Sequence, residues 1–492
     1  MQHVAEGLSL VWLRTRVSLK NGPLLIVAAC TSLIIAGCSE SERITLDENT
    51  IIIELEGVTS LNRTGVTGGR FSTAIDVLGD INGDQCTDFV ISTSGDRRRY
   101  GGDLPEGSGL QAYSGRDGIL LWHIGGKSAE RAKADGERGW YKIDDFTVID
   151  DVDSDGIKDI YCRHFRNSVL LSGSDGQRIC RAEVGKGSWL KKPLFCRDFD
   201  GDGTTDLFFD VSDRDAAGIQ AFSGKDLSPV SERYNPWPET NLAGREWFTL
   251  RERLPRFSDI DGDGVADRLL EQGGRKKEAS GHDDFAVISG ADESIVKYLG
   301  TLRPRAMAID GPHYTPVSDL NGDSVSDILM NDQVGGGDHG HSSYIMAISG
   351  SDGRLLWQIL GTDTGGRPQH ALVDRKGQET ALPPDATFKH PVTATPDLDG
   401  DGVNDLAAIA FAPGSENPRK VVLLFSGVDG KPLKPLLLPD HIGNIWGGNL
   451  IVLEAAGIKK QPCIAIPVAG GVSREEKFRI VVVPLPKLSP SI

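Results

Sequence analysis

One nine-residue pattern, Asp-x-(Asp/Asn)-x-Asp-x-x-x-Asp, recurs six times along 492 residues and constrains the fold more than any other feature. The first three copies hold Asp80, Asn82, Asp84, Asp88; Asp151, Asp153, Asp155, Asp159; and Asp198, Asp200, Asp202, Asp206. The last three hold Asp259, Asp261, Asp263, Asp267; Asp319, Asn321, Asp323, Asp327; and Asp397, Asp399, Asp401, Asp405. Their starts lie 47 to 78 residues apart, the length of one supersecondary unit with variable connections. A second pattern, an apolar run followed by Ser-Gly-x-Asp-Gly or a variant, trails each start by 21 to 34 residues. Its strongest forms begin at Ser114, Ser172 and Ser349, and looser ones at Ser223, Ser289 and Ser426. Asp-Gly between apolar runs is a hairpin signal.

Each unit therefore reads as strand A, Asp-rich turn, strand B, variable loop, strand C, Ser-Gly hairpin, strand D. Strand B is apolar each time, as in Phe89-Val90-Ile91, Leu207-Phe208-Phe209 and Ile328-Leu329-Met330. Four short antiparallel strands, repeated, describe the blades of an all-β propeller. The tail offers three further strands, Asn449–Glu454, Cys463–Val468 and Phe478–Pro484, while Thr50–Glu56 is an apolar strand without a unit. Pairing that strand with the tail completes a seventh blade and closes the ring, removing exposed sheet edges. Seven four-stranded blades over residues 50–486, with 487–492 as a tail, is the expected architecture; six or eight blades are the alternatives.

The Asp-rich turns suit a hard cation. Oxygen ligands at positions 1, 3, 5 and 9, with a backbone carbonyl at 7, match the six or more oxygens that Ca²⁺ takes. Left empty, carboxylates about 4 Å apart repel by a few kcal/mol per pair at a near-surface dielectric. Up to six Ca²⁺ are expected, which would bring the formal charge from −17 to about −5. An EF-hand needs Glu at position 12. Here that position holds Ile91, Cys162, Phe209, Leu270, Met330 and Ala408, and a strand follows. Asp and Gly as plain turn formers are the metal-free alternative. Gly156, Gly203, Gly264 and Gly402 occupy position 6, where the turn is sharpest, but Gln85 and Ser324 replace it in copies one and five. Those two copies also carry Asn at position 3, so weaker binding is expected there.

The segment Phe71-Ser72-Thr73-Ala74, then Gly79-Asp80-Ile81-Asn82-Gly83-Asp84 and Asp88-Phe89-Val90-Ile91, is similar to the FG-GAP (VCBS-type) repeats of integrin α-subunit propellers and many bacterial surface proteins. Phe71-Ser72 stands where Phe-Gly is usual, and Thr93-Ser94 replaces the Ala-Pro segment. The resemblance covers roughly residues 66–440. It implies a calcium-stabilised propeller used for binding or adhesion at a cell surface, with no catalytic residues to carry over. The Ser-Gly-x-Asp-Gly-x-x-Leu-Trp ends at Trp122 and Trp357 also resemble those of quinoprotein-like propellers.

The N-terminus reads as an export signal. Arg14, Arg16 and Lys20 precede an uncharged stretch from Leu24 to Gly37, too short to span a membrane. It ends Ile35-Ala36-Gly37-Cys38, which looks like a bacterial lipobox: residues 1–37 as signal peptide, Cys38 as lipid-bearing residue and 38–49 as tether. A plain secretory signal with an incidental Cys is the alternative. The expected location is a membrane-anchored lipoprotein, periplasmic or at the cell surface, touching the membrane through its lipid alone. Five cysteines remain in the body, Cys86, Cys162, Cys180, Cys196 and Cys463, without metal-ligand spacing. Cys162 with Cys180 is a candidate disulfide within one blade; buried free thiols are the alternative.

In antiparallel blades the A–B and C–D turns share one end of the ring, so length variation falls on the other, where loops on a rigid scaffold carry function. Those loops hold Arg97, Arg98, Arg99 and Tyr100; Arg131 and Lys133 before Trp140 and Tyr141; Trp237 and Trp247; Arg275, Lys276 and Lys277; and Arg303 with Arg305. Aromatic rings beside cations suit an acidic polysaccharide or a partner protein. Solvated charges and edge-covering aromatics are the alternative. The acidic balance argues against nucleic acid as a partner. His339 and His341 in a Gly-rich loop are the one candidate acid–base pair, on a segment poorly suited to precise catalysis. The readings left open are a binding module, a polysaccharide lyase or hydrolase, a quinoprotein-like dehydrogenase and a surface assembly protein.

Overall fold

The computed structural model describes residues 50–55, 75–93, 109–125, 145–164, 167–183, 193–212, 217–232, 234, 246–249, 257–273, 284–301, 313–334, 342–360, 371–373, 379–381, 392–411, 420–436, 438, 444–445, 450–469 and 478–488. Among them every regular element is a strand, and no helix is long and apolar enough to cross a membrane. The signal, Cys38 and the tether lie outside the described residues.

The strands form seven antiparallel sheets arranged as a seven-bladed β-propeller. The chain opens with β1 (Ile51–Glu54), then builds blade 1 from β2 (Ile75–Gly79), β3 (Asp88–Thr93), β4 (Gly109–Tyr113) and β5 (Leu120–Ile124). Blade 2 holds β6 (Asp145–Val148), β7 (Ile160–His164), β8 (Asn167–Leu171) and β9 (Arg178–Glu183). Blade 3 holds β10 (Phe195–Arg197), β11 (Asp206–Ser212) and β12 (Ala217–Phe222). Blade 4 holds β13 (Glu246–Thr249), β14 (Arg268–Gly273), β15 (Asp284–Ile288) and β16 (Ile295–Thr301). Blade 5 holds β17 (His313–Val317), β18 (Asp327–Val334), β19 (Ser342–Ile348), β20 (Leu355–Leu360), β21 (Ala371–Val373) and β22 (Glu379–Ala381). Blade 6 holds β23 (Thr393–Ala394), β24 (Leu406–Phe411), β25 (Lys420–Phe425) and β26 (Pro432–Leu436). The last sheet holds β27 (Asn444–Ile445), β28 (Ile451–Ala456), β29 (Gln461–Ala469) and β30 (Phe478–Pro484), with β1 on its outer edge.

The expected closure is therefore present. Ile51 to Glu54 pair with Val482 to Arg479, and the Arg479 guanidinium donates to Glu54 at 3.1 Å. Three sheets depart from four strands, the last through the short β27 that joins β28 along β29. Among the described residues blade 3 has three regular strands, and Pro229 and Tyr234 meet β12 through isolated bridges. The Glu293 carboxylate, from the neighbouring hairpin, occupies that junction and pairs with Arg197 and the Tyr234 hydroxyl. Blade 5 adds the β21–β22 hairpin at its rim.

Why strand B is apolar on consecutive residues follows from burial on both faces. In β3, Phe89 and Ile91 face the last blade while Val90 faces blade 2. Buried residues gather into seven clusters, and each spans two adjacent blades. One cluster per junction, with the seventh joining β30 and β1 to blade 1, is what a closed ring requires.

Polar links reinforce the junctions. Trp122 Nε1 on β5 donates to the Gly173 carbonyl of blade 2 at 3.0 Å, and Trp357 Nε1 on β20 donates to Gly427 of blade 6 at 2.9 Å. Cys180 holds the equivalent place on β9, its Sγ 3.7 Å from the Gly224 carbonyl. All five described cysteines are buried thiols. A Cys162–Cys180 disulfide is excluded by register. Cys162 lies opposite Val169, and Cys180 opposite Leu170, so the two point to opposite faces of blade 2. Cys162 packs toward blade 1 and Cys180 toward blade 3.

Candidate metal centres

The six Asp-rich turns, here loops 1 to 6, join the first and second strands of blades 1 to 6 and share one backbone frame. Both oxygens of the position-1 carboxylate accept backbone N–H groups. Asp259 Oδ1 takes Gly262 at 2.7 Å and Oδ2 takes Gly264 at 2.8 Å; Asp397 takes Gly400 and Gly402 in the same way. The position-5 carboxylate accepts the N–H of position 7, as Asp155 does from Ile157 at 2.8 Å. Wrapping the chain this tightly puts positions 4 and 6 in the left-handed region, where glycine costs least. Gln85 (φ 67°) and Ser324 (φ 69°) adopt it without being glycine.

The ninth-position aspartate plays a part the sequence did not reveal. Asp88, Asp159, Asp206, Asp267, Asp327 and Asp405 are all 0% exposed. One oxygen of each accepts the N–H of position 2, at 2.6–2.9 Å. The other accepts the N–H of the Ser-Gly glycine, from Gly115 to Gly427, at 2.9–3.4 Å. Each carboxylate thus clasps its own turn to the C–D hairpin of its blade. The contact explains why both motifs recur together. A Cβ on Gly115 would lie 2.0 Å from the Thr87 carbonyl oxygen, and one on Gly173 1.9 Å from that of Lys158, so only glycine lets the hairpin approach. The available signal was that position 9 stays Asp in six copies while position 3 accepts Asn.

Burial governs the electrostatics. It pushes the Asp88, Asp159, Asp327 and Asp405 carboxyls up to about 6, and raises Asp206 and Asp267. Asp153 and Asp401 are also raised, first by burial and then by neighbouring carboxylates. A cation at this point relieves both penalties.

Four loops bring three ligand atoms within 4.8 Å of one another: Asp151, Asp153, Asp159; Asp198, Asp200, Asp206; Asp259, Asp261, Asp263; and Asp397, Asp399, Asp405. Oxygens sharing one Ca²⁺ at 2.3–2.6 Å can be no more than about 5 Å apart, so these four sets fit a metal ion. Loops 1 and 5 form no such cluster among the described residues. In loop 5 the Asn321 Nδ2 donates to Asp327 Oδ1 at 3.2 Å, presenting an N–H where a ligand oxygen is needed. In loop 1 the side-chain oxygen of Asn82 accepts the Asp84 N–H, as the position-3 carboxylate does in loops 2, 3, 4 and 6, and Lys460 from the β28–β29 turn donates to Gln85 at 2.9 Å. Asp80, Asp84, Asp319 and Asp323 keep their turn-forming bonds in these loops, where Asn82 and Asn321 leave three carboxylates each.

The Ser-Gly hairpins lie against the Asp-rich turns, as the antiparallel order demanded. The candidate ligand face is largely beyond reach. Arg97, Arg98, Arg99, Tyr100, Trp140, Arg275, Lys276, His339 and His341 lie outside the described residues. Trp247 is on β13, opposite Gln272. The strand ends that bracket these segments, such as Thr93 and Gly109, pair with each other at the end of blade 1 away from its Asp-rich turn.

No family model and no curated protein sequence matches the chain. Solved structures similar to it include the V. cholerae biofilm matrix protein Bap1, at 12% identity and TM-score 0.38, covering 87% of this chain and 91% of that one. The WD40 domain of SCAP from fission yeast aligns at 11% identity and TM-score 0.39, over 90% and 100% of the two chains. An endo-arabinase from Bacteroides thetaiotaomicron VPI-5482 aligns at 10% identity and TM-score 0.27, over 61% and 99%. The class of protein is set by the chain's own sheets and junctions, which define a seven-bladed β-propeller with carboxylate clusters able to hold metal ions.

Proposed function

We propose that this chain is a calcium-stabilised binding module, exported and held at a membrane by a lipid on Cys38. The observation that carries the calcium part is the recurrence, on four turns at one end of the ring, of three carboxylate ligand atoms within 4.8 Å. Oxygen-only ligands and loops without a strict octahedral frame favour Ca²⁺ over Mg²⁺. Asp151, Asp153 and Asp159 would hold the ion in blade 2, Asp198, Asp200 and Asp206 in blade 3, Asp259, Asp261 and Asp263 in blade 4, and Asp397, Asp399 and Asp405 in blade 6. Such ions neutralise buried and crowded carboxylates and lock each turn against its hairpin. They supply no reaction.

The opposite end of the ring is the recognition face, and an acidic polysaccharide or a partner protein is its ligand. Support comes from the sequence of the variable loops, where Arg97–Arg99, Arg275 and Lys276 occur with Tyr100 and Trp140; Trp247, expected in such a loop, lies on β13 instead. Calcium titration of chelator-stripped protein tests the first part: four ions per chain and a higher melting temperature are expected, and an empty protein that melts the same with and without chelator rejects it. Glycan-array binding that survives neutralisation of Arg97–Arg99 and Lys276 rejects the second.

A further inference from the structure

Loop 3 differs from the other three carboxylate clusters in what faces it. Its hairpin reads Ser223-Gly224-Lys225-Asp226-Leu227, with lysine directly after the clasped glycine. The Lys225 Nζ donates to Asp202 Oδ2 at 2.7 Å. That bond raises the lysine's affinity for its proton, and the nearby charges of Asp200 and Asp198 add to it, so the ammonium lies in the field of three carboxylates of the loop. Asp202 is in turn held below the usual carboxylate range, first by the Lys225 bond. In loops 2 and 4 the equivalent carboxylates, Asp155 and Asp263, accept neutral hydroxyls instead, from Ser172 at 3.3 Å and Ser289 at 3.1 Å. The hairpin of loop 6 places Val428 where loop 3 has Lys225, and its lysine, Lys431, pairs with Asp429 of the same hairpin at 2.5 Å.

We propose that Lys225 is a built-in counter-ion of loop 3 that a divalent cation must displace, so that this loop fills last of the four and reports changes in calcium concentration. The proposal rests on the calcium reading above. Asp202 is the position-5 carboxylate of the same loop, so a divalent ion that draws on it together with Asp198, Asp200 and Asp206 competes with the Lys225 ammonium for that carboxylate and is repelled by it. Lys225 is largely exposed, with 58% of its side chain accessible, so it can swing into water as the ion enters. The cost to binding is then the worth of an exposed ion pair, a weakening of about fivefold relative to the same loop without the lysine. Loops 2, 4 and 6 carry the constant, structural ions, and loop 3 the exchangeable one.

The test compares the full chain with its Lys225→Met and Lys431→Met variants, stripped by chelator and titrated with calcium by equilibrium dialysis. Lys225→Met is expected to tighten the weakest of four sites about fivefold and leave the others alone, with Lys431→Met behaving as wild type. Adding Asp200→Asn to Lys225→Met should abolish the tightened site, which assigns it to loop 3. Thermal melting gives an independent sign: Lys225→Met should lower the melting temperature in chelator, where the lysine is the loop's cation, and not in saturating calcium. A wild type that binds calcium while Lys225→Met gives the same isotherm and the same melts overturns the proposal alone. A wild type that binds no calcium overturns the metal reading and this proposal with it.

Discussion

Asp88 and its five counterparts hold two places at once: acceptor for a turn, and acceptor for the hairpin 14 to 27 residues further on. Burial without a cation makes these carboxyls easier to protonate in the fold than in the unfolded chain. For Asp88, Asp159, Asp327 and Asp405 the stabilising contribution in metal-free protein is therefore full below the ordinary value of 3.8 and is lost as pH rises through about 6. A bound cation acts in the opposite sense, because it favours the ionised form. The expected outcome is a calcium-dependent gain in melting temperature that is largest above pH 7 and fades as pH falls through about 6. Calorimetry with and without chelator across pH 5–8 checks it, and a pH-independent gain would contradict it. The positions of these aspartates were legible in the sequence, but their double bonding was not. A spacing of nine shows which oxygens are near a turn, and it cannot show that a glycine from another hairpin arrives on the same carboxylate.

At the scale of the strand, the apolar runs predicted strand B correctly, and the Ser-Gly hairpins predicted the C–D connection. What spacing could not supply was the use of strand D. The Trp357 indole reaches across to Gly427, 70 residues away, and nothing local to Leu355-Leu356-Trp357 encodes that partner. Trp357 is 0% exposed, and Trp357→Phe removes the donor while keeping most of the ring. A loss of about 1–2 kcal/mol is expected in urea unfolding, from one buried bond and the carbonyl it leaves unsatisfied. Trp122→Phe, at the partly exposed equivalent in blade 1, should cost less. Blade 3 departs from the pattern among the described residues. After its hairpin Pro229 and Tyr234 meet β12 by isolated bridges, and Glu293 pairs with Arg197 and the Tyr234 hydroxyl beside them.

For the whole molecule, the seven-blade count was legible because the repeat left a remainder, three strands at one end and one at the other, that summed to a blade. The structure adds the proof of closure in its seven inter-blade clusters. Ile53 and Leu55 are buried in the cluster that joins the last blade to blade 1. Removing residues 50–55 strips β30 of its outer neighbour and uncovers that cluster, so the shortened chain should self-associate; light scattering on the purified product would detect it. A monodisperse, equally stable product would count against the ring depending on that strand.

The pairing of β1 with β30 also imposes an order in time. β1 has no partner until β30 has been made, so blades 1 to 6 can settle in sequence while the circle stays open. Only a chain read through to its final strand can shut it. A prematurely ended product keeps a raw edge at its outermost sheet, which marks it for aggregation or proteolysis, and full length becomes a condition of survival.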